Sequence, residues 1–116
     1  MARALAFANV GSAELPDRLY TRVSVAPMID KTDRPFSYLM GLLAPDIRLY
    51  TEMCVAQAAI HGDRPKLLQY DTCEQPIALQ RGGSNPELLA QAAAIGEKWG
   101  YDEINLNIGC PSDRVQ

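Results

Sequence analysis

Asn107-Ile108-Gly109-Cys110-Pro111 places a thiol at the far end of a short apolar strand, a spacing from which chemistry can be built. The run before it, Glu103-Ile104-Asn105-Leu106-Asn107, alternates strictly. Ile104, Leu106 and Ile108 fall on one face and Glu103, Asn105 and Asn107 on the other. Successive side chains of a strand point to opposite faces, so one face suits burial and the other aims two carboxamides at whatever lies opposite. A carboxamide inside a sheet costs ~1–3 kcal/mol without a hydrogen-bond partner. Gly109 permits a tight turn, Cys110 sits at the strand tip, and Pro111 fixes the exit direction. Parallel α/β sheets keep their chemistry at the carboxyl ends of their strands. On these five residues alone, a buried cysteine in a turn is as good a reading as a reactive thiol, since free Cys is commonly buried.

Other strand ends carry comparable signals. Val23-Ser24-Val25-Ala26-Pro27-Met28 ends an apolar run with Pro27, which removes a backbone donor and lets the chain near Met28 approach a flat ring. An ordinary strand-ending turn accounts for Ala26-Pro27-Met28 equally simply. Gln80, at the end of Pro76-Ile77-Ala78-Leu79-Gln80, offers a donor and an acceptor together. With Arg81-Gly82-Gly83 behind it, a solvated loop is the alternative. No Gly-x-x-x-x-Gly-Lys pattern occurs, which excludes a phosphate loop for a nucleoside triphosphate. Glu52 either points into the mouth of the site or serves as a structural carboxylate. His61 is the only histidine and has no second ligand at helical spacing, so no metal is expected. Asp30, Asp33 and Arg34 read as capping and salt-bridge residues, and Arg114 as a solvated one.

The elements that must position these residues alternate between strand and helix. Residues 23–26, 49–52, 77–80 and 103–107 form the strands. Thr32 or Asp33 caps a helix whose Phe36, Leu39, Met40 and Leu43 follow the i, i+3, i+4, i+7 pattern up to Ala44-Pro45. A short helix over 55–60 stops near Gly62, and 64–74 reads as irregular, with a brief strand at 66–68. Asn85 caps the next helix, Pro86 opens its first turn, and Leu88, Ala92, Ile95 and Trp99 mark its buried stripe until Gly100. Four β-then-α steps without a hairpin signal imply a parallel sheet with right-handed crossovers. Four units are half of an eight-stranded barrel, which normally takes ~250 residues. The expectation is therefore an α/β TIM-barrel half, with bare first and fourth strands, behind a loose leader over residues 1–22.

Composition sets wider bounds. The 116 residues are 47% hydrophobic and 22% charged, with a net charge of -3, as suits a soluble globular chain. No apolar run approaches the ~18 residues of a membrane span. Cys54, Cys73 and Cys110 are odd in number and lack Cys-x-x-Cys spacing, so neither a disulfide framework nor a zinc site is indicated and a reducing cytoplasm fits. Cys54 and Cys73 read as packing or loop residues, Cys73 at most as an adventitious reactive thiol. The acidic balance gives no sign of a nucleic-acid partner, which would call for a basic surface.

Taken in order, Val23-Ser24-Val25-Ala26-Pro27-Met28, Tyr50-Thr51-Glu52-Met53, Pro76 to Gln80 with Gly82-Gly83, and Tyr101 to Gln116 resemble the amino-terminal part of the tRNA-dihydrouridine synthase family. The Ser112-Asp113-Arg114-Val115-Gln116 ending is similar to its A subfamily. The resemblance implies a flavin mononucleotide (FMN) laid along Ala26, Pro27 and Met28 and hydrogen-bonded by Gln80. It further implies Cys110 as proton donor, Asn107 as a contact to the tRNA uracil or the flavin, and NADPH as reductant. The implied reaction is reduction of a D-loop uridine to 5,6-dihydrouridine, in which C6 takes a hydride and C5 a proton from a thiol of pKa ~8.5. The family's second barrel half, with a Lys, a His and the phosphate-holding amides, and its helical tRNA-binding domain are outside these residues, so the piece alone is expected to be inactive. Two other readings stand beside this one, a flavin-dependent barrel oxidoreductase acting on a small pyrimidine and a non-catalytic truncated fragment.

Overall fold

The computed structural model describes residues 23–109. The leader expected over 1–22, and Cys110 and Arg114, lie outside the described residues. In chain order the elements are α1 (Arg34–Leu43), β1 (Leu49–Tyr50), β2 (Cys54–Val55), α2 (Ala56–His61), α3 (Arg64–Leu68), a 3-10 turn (Thr72–Glu74), β3 (Ile77–Gly82), α4 (Pro86–Lys98) and β4 (Glu103–Leu106).

Every strand pairing is parallel, and β3 lies at the centre. The carbonyls of Pro76 and Ala78 accept from the backbone of Leu49 and Thr51, whereas those of Ile77 and Arg81 accept from Asp102 and Asn107. β1 and β2 therefore share one edge of β3, and β4 takes the other. Tyr50 pairs with Ala78 and Cys54 with Arg81, so three residues on this edge oppose two of β3. The strand expected over 49–52 is thus one extended run broken by a bulge, which re-aims the side chains around Glu52. Outside it, Ser24 bridges Arg48 in parallel and Val25 N–H donates to the Arg48 carbonyl at 2.9 Å. The four extended segments are parallel and adjacent in chain order, as the absence of hairpin signals requires.

Capping chemistry sets the helix starts. Asp33, not Thr32, caps α1, its side chain accepting from Phe36 N–H at 3.0 Å. Asn85 accepts from both Glu87 and Leu88 N–H at the start of α4, with Pro86 in the first turn. Gly100, at φ +86, closes that helix in a left-handed conformation that glycine adopts without strain. The brief strand expected at 66–68 is instead part of α3. Asp63 accepts from Lys66 N–H, and Pro65 presets the first helical turn.

One face of the sheet carries the core. Ile77 and Leu79 of β3 pack with Leu49, Leu68 and Tyr101, and Ile95, Trp99 and Ile104 close over them. Each fully buried aliphatic of this set contributes roughly 1.5–3 kcal/mol. The stripe expected on α1 is corrected. Ser37 and Gly41 are its buried positions, while Leu39 and Leu43 are 53% and 70% exposed. At Gly41 any Cβ would run into the backbone carbonyl of Cys73, so α1 rests on the 3-10 turn through its small-residue side. Its leucines then face away from that contact. The solvated loop considered after Gln80 is corrected too, since all six residues of β3 are buried, Arg81 and Gly82 included.

Candidate active site

The face of the sheet opposite the core is polar, and its residues pair across β3 in two layers. Strand alternation puts Ala78 and Gln80 on this face, with Glu103 and Asn105 of β4 beside them and Asn107 just beyond its end. In the lower layer Arg48 Nη1 donates to Glu103 Oε2 at 2.7 Å, across the small side chain of Ala78. In the upper layer Gln80 Nε2 donates to Asn105 Oδ1 at 2.8 Å, the two residues being in register. Asn107 Oδ1 accepts from Gly109 N–H at 3.2 Å and so tightens the turn that leads toward Cys110. The alternating carboxamides of β4 each find a partner, as burial within a sheet demands.

Gln80 is 7% exposed, and its backbone N–H donates to Thr51 Oγ1 at 3.0 Å. Thr51 in turn donates to the Glu52 carbonyl at 3.0 Å. The bulge between β1 and β2 thus hangs on β3 through a side chain where ladder bonds are interrupted. Glu52 Oε1 is buried beside this region and has no hydrogen-bond partner. Ala26, Pro27 and Met28 follow the strand that bridges Arg48, at the carboxyl end of the outer edge. The turn after them is locked locally. Met28 N–H donates to Thr32 Oγ1 at 3.0 Å, and the Met28 carbonyl accepts from the Thr32 hydroxyl and from the backbones of Lys31 and Thr32. Asp30 takes the left-handed position of this turn at φ 60, and Met28 is left 47% exposed. Gln80 and Asn105 are in contact, Asn107 follows β4 directly, and Met28 follows the outer segment that bridges Arg48, one strand removed from β3.

Sequence reasoning missed three of these features. The Gln80–Asn105 pair depends on strand register, which no local pattern encodes. Thr51 and Thr32 act as latches whose signal, a hydroxyl next to a strand end, is too common to single out. Arg81 is the largest surprise. It alternates onto the core face, is 0% exposed, and none of its three side-chain nitrogens has a hydrogen-bond partner among the described residues. Burial pulls its pKa down, opposed by the neighbouring Cys54 and Tyr101. Burial likewise pushes the Tyr101 hydroxyl well above its ordinary range, where it donates to the Leu68 carbonyl at 2.8 Å.

The two described cysteines stand apart from the polar face. Cys54 lies opposite Arg81 and its thiol donates to the Val55 carbonyl at 3.6 Å. Cys73 lies in the 3-10 turn, where burial and then the Asp71 carboxylate push its thiol pKa up. A raised thiol pKa lowers the share of thiolate, the nucleophilic form, at this position. Among the described residues no group of three His, Cys, Asp or Glu side chains is placed to hold a metal, and no helix is long and apolar enough to cross a membrane.

What remains open on the polar face is an acceptor and a donor side by side. Gln80 Oε1 and Asn105 Nδ2 each keep capacity after their mutual bond. This edge is complementary to a flat heterocycle with adjacent N–H and carbonyl groups, such as the pyrimidine portion of a flavin.

The family model of dihydrouridine synthases matches residues 24–116. A tRNA-dihydrouridine(20/20a) synthase of Xanthomonas axonopodis pv. citri is 65% identical over 95 residues, covering 82% of this chain and 28% of the relative. Proteins of the same name from Synechocystis and Pseudomonas aeruginosa are 61% identical over 94 residues and 54% identical over 101, covering 81% and 87% of this chain. They are themselves covered to 28% and 30%, so the chain spans less than a third of the length of these curated relatives. With a family match over four-fifths of its residues, the chain belongs to the dihydrouridine synthase family.

Proposed function

We propose that the protein carrying this segment reduces uridine in tRNA to 5,6-dihydrouridine, with FMN as cofactor and NADPH as reductant, and that residues 23–116 form the first half of its eight-stranded barrel. The observation that carries the proposal is the buried Gln80–Asn105 pair within β3 and β4, on the polar face of the parallel sheet, with an acceptor and a donor left over. Those groups fit the edge of an isoalloxazine ring, and the locked turn at Ala26, Pro27 and Met28 offers backbone and an exposed Met28 for its flat face. When bound, the reduced flavin supplies the hydride that C6 of the uracil accepts.

The chain's own residues do the rest. Gln80 holds the cofactor edge, and Asn107, anchored through Gly109, orients the uracil in front of it. Cys110 gives its thiol proton to C5, so hydride and proton together saturate one double bond and the thiolate is reprotonated from solvent. The relatives are named for positions 20 and 20a, and we extend that assignment to a D-loop uridine here. The net charge of -3 is accounted for if the contacts to tRNA phosphates come from parts of the protein beyond this segment. Activity is therefore assigned to the full-length protein and not to residues 1–116 alone.

Stopped-flow measurement of the two half-reactions on the full-length protein tests this reading. Cys110→Ala is expected to leave flavin binding and flavin reduction by NADPH nearly intact, while reoxidation by tRNA slows ~100-fold or more, the scale of losing a positioned general acid. Reoxidation at the parental rate would make Cys110 a turn residue. Absence of any flavin in the purified protein would remove the cofactor assignment altogether.

A further inference from the structure

We propose that Glu52 is a further cofactor-binding residue, its buried carboxylate oxygen accepting a hydrogen bond from a hydroxyl of the flavin's ribityl chain. The inference rests on the flavin reading above and adds a residue and a contact to it. Glu52 Oε1 is buried and has no hydrogen-bond partner among the described residues. A buried acceptor left unpaired destabilises a fold, and a carboxylate does so more than a neutral group. The polar groups around it are engaged elsewhere. The Thr51 hydroxyl donates to the main-chain carbonyl of Glu52 at 3.0 Å and not to its side chain. Arg48, one layer down, is held by Glu103 at 2.7 Å, and Arg81 belongs to the opposite face of the sheet.

Register puts this oxygen beside the site. The ladder holds as far as Thr51, whose N–H donates to the Ala78 carbonyl at 2.9 Å just as Leu49 N–H donates to the Pro76 carbonyl at 3.0 Å. Continued by one residue, that register sets Glu52 across from Gln80, and the extra residue of the bulge is taken up before Cys54 meets Arg81. Glu52 is therefore one strand from Gln80, about 4.8 Å across the sheet, on the side that leads to Met28. The donor that reaches it follows from the chemistry of the cofactor. An oxidised isoalloxazine has a single N–H, at the imide, and the reading above gives that edge to Gln80 and Asn105. The other neutral donors of FMN are the ribityl hydroxyls. A carboxylate only accepts and it repels the terminal phosphate, so Glu52 suits the middle of the cofactor and neither end.

The test uses the full-length protein stripped of flavin and titrated with oxidised FMN, with urea unfolding of the flavin-free form alongside. Glu52→Gln keeps the shape and replaces the carboxylate by a neutral amide. It should bind FMN about tenfold more weakly, the difference between a charge-assisted and a neutral hydrogen bond. Its flavin-free form should unfold at an equal or higher urea midpoint, because an unpaired buried carboxylate has gone. Lumiflavin, which has the same ring without the hydroxylated chain, should bind parent and variant alike. A carboxylate held by a cation from elsewhere in the protein would give the reverse, a flavin-free form that is less stable or fails to fold, and that result overturns the proposal. FMN binding at the parental level overturns it as well, as does an equal loss for lumiflavin and FMN. A parent that binds no flavin removes the function proposed above together with this inference, whereas a parent and a Glu52→Gln variant that bind FMN alike remove this inference only.

Discussion

Replacing Arg81 by methionine should make the protein more stable. Arg81 is fully enclosed, on the core face of β3 opposite Cys54, which offsets only part of its burial, and its three side-chain nitrogens have no hydrogen-bond partner among the described residues. Leaving a charge buried and uncompensated costs about 3–5 kcal/mol in proteins where a partner has been removed. Methionine keeps the packing of the aliphatic stem and gives up the guanidinium carbon and its two terminal nitrogens. At ~24 cal/mol per Å3 the space they vacate, of order 40 Å3, costs about 1 kcal/mol. The balance is a gain of roughly 2–4 kcal/mol. Urea unfolding of the full-length protein, comparing parent, Arg81→Met and Arg81→Lys, measures it. The lysine variant keeps a buried charge and should gain nothing. A loss of 1 kcal/mol or more in Arg81→Met would refute the reasoning and show that the guanidinium is compensated in solution, for example by an ionised Cys54.

Three further outcomes follow from the same contacts. Burial raises the Glu74 carboxyl above its ordinary pKa of about 4.5 while its Oε1 accepts from Asp71 N–H. A raised acid contributes stability below the unfolded value and loses it as pH rises through the folded one. Glu74→Gln keeps the acceptor without the charge and should therefore gain stability relative to the parent as pH rises above about 4.5, read from unfolding midpoints at a series of pH values; a flat difference would contradict it. Gly41→Ala should destabilise by about 2 kcal/mol or more, because the added Cβ meets the Cys73 carbonyl and not a flexible side chain; unchanged thermal stability would show that α1 does not rest on this turn. Asn85→Ala removes the cap that serves two backbone donors of α4 and should cost about 1 kcal/mol, recovered mostly by Asn85→Ser; equal stability of parent and alanine variant by urea unfolding would count against the cap.

Local signals carried further into the fold than into the site. Asn85-Pro86 and Gly100 delimit α4 in sequence because capping and left-handed closure are properties of a few adjacent residues. The parallel order of the sheet was legible in the strand–helix alternation for a similar reason, since short strands separated by helices cannot pair as hairpins. The helix at Arg64–Leu68 was misread because five residues contain barely one turn, and Asp63 and Pro65 outweigh the apolar pair that suggested a strand. On α1 the i, i+3, i+4, i+7 pattern marks where apolar side chains lie on the helix, but not which face meets the sheet.

By itself the sequence determined the order of the elements, the caps, and the residue types gathered in Ala26-Pro27-Met28, Gln80 and Asn107-x-x-Cys110, because these depend on neighbours a few positions apart, whereas β3 runs on past Gln80 to Gly82. Tertiary structure alone decided that Gln80 meets Asn105 and Arg48 meets Glu103, 25 and 55 residues away along the chain. It alone decided that Arg81 lies in the core and not in a loop. The physical reason is register. A shift of one residue in the pairing of β3 would exchange its two faces, sending Gln80 into the core and Arg81 toward the site, and the register is fixed by the packing of Ile77 and Leu79 against the helices.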